Sequence, residues 1–410
     1  MSGFAATKGV FMTRSDVALQ SFNDFGFRPV AVIAWWSCQA GHGIERGNRG
    51  GIGFWTRDMS SAVAWSSSDG TPSSDTSRLA DDAAILGLAT VGHALSMRAE
   101  VASFDADGFT LHWSVQPMEP WIVHFLAFGG EPSIRGRVGC VSSQPAGAST
   151  SLGLPEIRAD LLLLVPTPVE AGSRAQGLGI GIGAASRRRQ VAAGYASPHG
   201  APPGTVTGAQ RSGSAVIVLN DPDGPPLIGA VRAGARQDLA IEWSGAGQPT
   251  ERTCYLALEG LRAKVGTDVS TAAPGRRKTR VGFRPEAILL FSWGLAASAQ
   301  PRGIGRLCIG GASERESGCA GWDDRNVEAH ETRTHVVSSI ADALIIIDTQ
   351  TGGVHARAAL DSIDDSGFTL DWIESDGKLR QFAYVAMGRP RDQNRVSRAL
   401  RRRPRDARGH

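Results

Sequence analysis

The stretch DADGFTLHW, Asp105 to Trp113, returns near the far end of the chain as DDSGFTLDW, Asp364 to Trp372. Each reads as a turn feeding a strand. Asp and Gly supply side-chain-to-backbone hydrogen bonds and a positive φ at the turn. After it, Phe and Leu alternate with Thr and either His or Asp, the period-2 pattern of an antiparallel strand with one wet face. In both places the aromatic after the Gly is followed four residues on by a Trp, and 18 residues on by the Ala of a closing strand: Ala127 in HFLAFGG and Ala386 in AYVAMGR. The middle of the chain keeps the same spacing with less identity, as Leu239, Trp243 and Ala257.

Working outward, Gly26-Phe27-Arg28-Pro29 before VAVIAWW matches Gly282-Phe283-Arg284-Pro285 before EAILLFSW. A second interval joins all three parts: Ile52-Gly53, Ile182-Gly183 and Ile309-Gly310 each place the Ile 13 residues before an aromatic, Trp65, Tyr195 and Trp322. Self-similarity at a fixed period marks a repeated structural unit. The fold expected is all-β: three tandem antiparallel β-sandwich or jelly-roll-like domains with an internal sequence repeat. The predicted boundaries are an N-terminal strand or arm over 1–26, repeats over 27–130, 155–260 and 283–388, linkers over 131–154 and 261–282, and a basic disordered tail over 389–410. Both linkers are rich in Ser, Gly, Pro and Thr, as linkers or edge segments are.

Composition agrees. The 51 Gly and 21 Pro favour turns over long helices, and 41% hydrophobic with 20% charged residues is ordinary for a globular chain. The net charge of +3 is unevenly placed: Arg389 to His410 holds nine Arg against Asp392 and Asp406, so the remainder is negative overall. The five Cys show no ligand spacing, and an odd number cannot close an intrachain framework, so reduced thiols are expected. The first thirty residues lack the basic and apolar regions of a secretory leader, and no run reaches the roughly 18 apolar residues of a span; neither a leader nor a membrane partner is expected.

Catalytic signatures are absent: no GxSxG, HExxH, GxxxxGK[ST] or CxxC occurs. Gly179 to Gly183 lacks the GxGxxG spacing and reads as a closely packed β segment. Asp105, Asp107 and Gly108, like Asp221, Asp223 and Gly224, could open a calcium loop, but the downstream bidentate Glu is missing and a hairpin turn accounts for them. No catalytic residue, cofactor or metal is therefore assigned.

With its GFxP opening, Gly-rich middle, GFTL-x-W strand and final Ala-x-Gly-Gly, the repeat resembles a domain recurrent among tailed-phage virion proteins. Its closing half is also similar to the H-type lectin domain, through Gly108, Phe109, Leu111, Trp113, Phe125 and Ala127, with Gly367, Phe368, Leu370, Trp372, Tyr384 and Ala386 in the third copy. The first resemblance implies a non-enzymatic structural component of a virion or phage-tail-like particle, in head decoration or tail, assembled in the host cytoplasm and located in the virion. Its partners would be other particle proteins, in a homo-oligomer or pseudo-threefold assembly. The second implies a trimeric sandwich and, as the alternative, a carbohydrate-binding adhesin that meets a surface glycan.

Trp113, Trp243 and Trp372 recur at one position and read as core. Trp35 and Trp36 are neighbours on a strand and so point to opposite faces. With Trp55 and Trp121, each found in one copy only, they are the candidate interface or ligand platforms. In the tail, Arg401, Arg402, Arg403 and Arg405 are either solvated or contacts to an acidic partner, ahead of nucleic acid, which is not expected.

Overall fold

The structure is a computed structural model, and it describes residues 3–390 apart from 168, 188, 203–207, 220–226, 234–238, 245–251, 297–304, 315, 326–330 and 349–350. The chain is all-β, built of antiparallel sheets, with no helix among the described residues. Three successive stretches, 4–130, 135–259 and 262–388, each contribute one large sheet and one four-stranded sheet. Each such pair of sheets is called a unit below.

Strand order is the same in the three units. In the large sheet the first strand of a unit lies beside its last, as Phe4–Met12 beside Ile122–Gly130, and the last lies beside the apolar strand Pro29–Ser37. The closing-strand alanines occupy one register: Ala127 faces Val32, Ala257 faces Leu162 and Ala386 faces Ile288. The GFTL strands lie in the small sheets, where Phe109, Leu111 and Trp113 are buried while His112 and Ser114 are exposed.

The N-terminal segment, expected as a strand or arm, carries strands, and so do the two segments expected as linkers. Segments 1–26, 131–154 and 261–282 carry the first strands of the units: Phe4–Met12 with Leu19–Phe22, Arg135–Ser142 with Ser149–Ser151, and Arg262–Val269 with Gly275–Arg280. Each pair closes one edge of the large sheet and one edge of the small sheet. Edge strands bury less of themselves than central ones, so polar, Gly-containing sequence suits them and hides the strand signal.

Two kinds of core result. Within each unit, side chains fill the space between large and small sheet, with Trp36, Phe109 and Trp113 in the first, Leu162, Trp243 and Tyr255 in the second, and Ile288, Phe368 and Trp372 in the third. The outer faces of the three large sheets meet in one shared core containing Trp35, Ile52, Trp65, Ile182, Tyr195, Ile309 and Trp322. This explains the near-continuous apolar runs of the central strands, since a strand buried on both faces loses its alternation.

The Ile-Gly pair works on both faces at once. Each Ile enters the shared core. Each Gly faces the small sheet: a Cβ on Gly53, Gly183 or Gly310 would stand 2.3, 1.7 or 1.8 Å from the carbonyl oxygen of Ala84, Val216 or Ala343. Only a residue without Cβ lets the backbones come this close.

Neighbouring units also exchange strands. Gly43–Arg46 of the first unit extends the third unit's large sheet by pairing with Arg333–Ser339. Ser173–Gln176 of the second extends the first unit's large sheet by pairing with Thr76–Asp81. The edge strands follow the same direction around the body: Arg135–Ser142 of the second unit packs on the first, and Arg262–Val269 of the third packs on the second.

Candidate functional site

The four tryptophans singled out as platforms are all buried within the chain. Trp35 packs in the shared core, stacked on His124 at 5.9 Å between ring centroids. Trp36, on the opposite strand face, donates its Nε1–H to the carbonyl of Leu86 at 2.7 Å. Trp55 meets Phe109 edge-on, and Trp121 lies beneath the Arg49 guanidinium. None of these four indole faces is left for a ligand: the shared core covers Trp35, and the first unit's own core between its two sheets covers Trp36, Trp55 and Trp121. Arg401, Arg402, Arg403 and Arg405 lie outside the described residues.

The Asp-Gly turn is engaged by the chain itself. Asp105 accepts hydrogen bonds from the hydroxyls of Ser103 and Thr110, and Asp107 accepts one from the backbone N–H of Gly26. Asp221, Asp223 and Gly224 lie outside the described residues. Among the described residues no three His, Cys, Asp or Glu side chains group so as to hold a metal.

A cleft of about 700 Å³ opens at the junction of the first and second units. Three elements of the first unit form one wall: the strand start at Arg28, Pro29 and Val30, the hairpin at Thr56 to Met59, and Phe104. The other wall is the edge strand that starts at Arg135, together with Ile134, Glu156 and Ile157. Strand alternation sets the roles. Gly136 faces the first unit so closely that a Cβ there would stand 2.8 Å from that of Ala31. Arg135 and Arg137, on the opposite face, are exposed and line the cleft. The hairpin is closed by the Thr56 N–H donating to the carbonyl of Met59 at 2.8 Å, which leaves Arg57 and Asp58 exposed at its tip.

Four guanidinium groups, from Arg28, Arg57, Arg135 and Arg137, thus share one cleft with two carboxylates, Asp58 and Glu156. Arg135 donates to the main-chain carbonyl of Glu156 at 3.2 Å. Among the described residues Arg28, Arg57 and Arg137 form no ion pair. The cleft combines donors suited to carboxylate or phosphate with an apolar floor of Val30, Phe104, Ile134 and Ile157. Residue patterning in the sequence did not isolate it, since its members are spread from Arg28 to Ile157 and form no motif. The one signal was the Arg in each unit's opening segment, Arg28, Arg158 and Arg284.

A second polar feature is buried near the centre. Asn48 donates to the Tyr195 hydroxyl at 3.2 Å and to the carbonyl of Asp323 at 3.0 Å, and its own Oδ1 accepts from Trp65 Nε1 at 3.0 Å. Asp324 is fully buried; desolvation pushes its carboxyl up to about 7, against the hydrogen bond from Ser67 at 2.7 Å. Asp323 is raised by burial too, and His335, bonded to it at 3.1 Å, is raised by that carboxylate. His335 also lines a small charged pocket with Arg46, Asp69, Glu331, Arg333 and Thr351. These groups tie the three units together.

In comparisons with known proteins, no family model matches the chain and no curated protein matches it significantly.

Proposed function

We propose that this chain is a non-enzymatic structural component of a phage virion or phage-tail-like particle, in head decoration or tail, acting by protein–protein packing. The observation that carries this reading is the closure of three sheet pairs with one strand order around a shared core, linked by exchanged strands. Read as three jelly-roll-like sandwiches written in tandem, the body has a pseudo-threefold axis, and it offers similar outer faces in three directions. A protomer of this kind suits a threefold or sixfold position in a closed assembly. The sequence contains no hydrolase, zincin or nucleotide-binding signature. Particles sedimented from cells that carry the gene test the reading: the chain is expected to co-sediment with them at a fixed ratio to the other particle proteins. Recovery of the chain solely at its monomer mass, with intact particles free of it, overturns the proposal.

A second reading, a carbohydrate-binding adhesin, is favoured by the open cleft between the first two units. Its ligand cannot rest on Trp35, Trp36, Trp55 or Trp121, which are internal. Glycan-array binding that is lost when cleft residues are changed supports this reading, and silence across the array removes it.

A further inference from the structure

We infer that the cleft between the first two units binds an acidic saccharide, its carboxylates held by Arg28, Arg57, Arg135 and Arg137 and its ring face lying on the apolar floor. The inference rests on the adhesin reading and names the ligand class for that site.

Comparison of the three junctions within the chain is the first support. The pairings Ala31 with Thr56 and Ala287 with Ser313 place Arg57 and Glu314 at the same step after their strands. In the third unit Glu314 neutralises Arg284 directly, at 2.6 Å. The edge strand equivalent to Arg135 and Arg137 there carries Ala5 and Thr7, as the pairings Ala5 with Gly129 and Arg135 with Glu259 show. A junction of this shape therefore packs without the arginines. Between the second and third units two of the matching residues are engaged by the chain: Arg262 lies over the Phe283 ring at 4.5 Å, and Lys264 donates to the carbonyl of Arg280 at 2.9 Å, while Arg158 and Arg187, which match Arg28 and Arg57, are exposed. What the first junction adds is an open cleft that its four guanidinium groups line.

Charge supplies the second support. Four cations facing two carboxylates in one concave site repel one another, and an anion relieves that repulsion while low-dielectric walls focus the field on it. Guanidinium forks match carboxylate geometry in two parallel hydrogen bonds. Size and lining supply the third. About 700 Å³ falls within the range of small-ligand sites. A pyranose presents an apolar C–H face suited to Phe104, Ile134 and Ile157, and hydroxyls that Asp58 and Glu156 can accept from. Inorganic phosphate would leave that floor unused.

Titration calorimetry on the full chain tests this with four probes: trigalacturonate, its neutral galactose counterpart, hexaglutamate and inorganic phosphate. Trigalacturonate is expected to bind best, with affinity that falls as salt rises. The R57Q/R137Q variant is expected to bind it at least about tenfold more weakly, while R14Q, at an exposed site elsewhere, leaves it unchanged. An unaltered unfolding midpoint shows that the double variant folds; should it not, R57Q alone carries the comparison, since Arg57 sits on an exposed hairpin. Equal affinity of native and variant chains overturns the inference. Neutral sugar binding as tightly as the uronate overturns the acidic class and spares the adhesin reading. Silence towards both sugars overturns both, and tighter binding of hexaglutamate or phosphate assigns the cleft to a peptide or a free anion instead.

Discussion

Trp65 of the first unit and Trp322 of the third meet edge-to-face at the centre of the molecule, ring centroids 4.9 Å apart and planes at 75°. Tyr195 of the second unit reaches the same place through Asn48, which bonds both its hydroxyl and the Trp65 indole. The three aromatics found by spacing alone are thus among the residues through which the units touch.

Trp322→Ala should destabilise the fold by about 3–5 kcal/mol, the range for a large buried aromatic cut to Ala. Trp322→Phe should lose less, keeping most of the apolar contact while giving up the bond from Nε1 to the carbonyl of Arg49. Urea unfolding measures both. A loss under about 1 kcal/mol for the Ala variant would show that this contact does not hold the units together.

Gly310→Ala is expected to be worse tolerated than its size suggests. The added methyl would press on the carbonyl oxygen of Ala343, so strand and small sheet must part; a loss of at least about 3 kcal/mol, or failure to accumulate in soluble form, should follow. Gly41→Ala, where a Cβ meets nothing within 4 Å, is the matched control. Similar midpoints for the two variants would refute the close approach.

Asp324 should make stability depend on pH in a definite direction. Its carboxyl titrates at about 7 in the folded state, against about 3.9 when unfolded. Between those values the folded chain holds a proton that the unfolded chain has released, so this group's contribution falls as pH rises from about 4 to about 7 and levels off above. Subtracting Asp324→Asn stability from native stability at a series of pH values isolates the effect. A difference that stays flat from pH 4.5 to 7.5 would contradict it.

Lys8 offers the converse case. Its partner in the sheet is Leu126, and the residues in the same register of the other units are Val138 and Val265. Burial pushes the Lys8 ammonium down to about 8, below the unfolded value of 10.5. Between those values the unfolded chain holds the extra proton, so native stability gains from this group as pH rises from about 8 to about 10.5. Lys8→Met should remove that slope and raise stability by about 1 kcal/mol at pH 7, because an apolar side chain needs no desolvation. A less stable variant would show that the ammonium contributes net binding between the units.

Cysteine state is open to direct counting. Reduced thiols were expected throughout, whereas Cys140 and Cys254, cross-strand partners with Cα atoms 4.0 Å apart, form a disulfide. Cys38, Cys308 and Cys319 are free and buried. The unfolded, unreduced chain should therefore titrate three thiols, rising to five after reduction. Loss of the bridge should lower stability by roughly 2–4 kcal/mol. Five thiols without reductant would remove the bridge.

Several local rules were readable from residue order. The Asp-Gly turns, the GFTL strands and the apolar central strands each carry a period or a turn chemistry that acts over a few residues. The segments 131–154 and 261–282 read as linkers or edge segments alike, because edge strands have weak patterns and composition does not distinguish them from connectors. The tryptophans were misplaced for a related reason. Alternation says that Trp35 and Trp36 face opposite ways, but what lies beyond each face depends on residues far along the chain.

The sequence by itself determined an all-β chain, its recurrent turns and the spacing that singles out Trp65, Tyr195 and Trp322, since backbone conformation and side-chain alternation are short-range properties. Only the tertiary structure decided that these aromatics converge, that Trp35 turns inward, and that Arg28, Arg57, Arg135 and Arg137 share a cleft. Those relations arise where one unit closes against the next, between residues whose distance in space bears no relation to their separation along the chain.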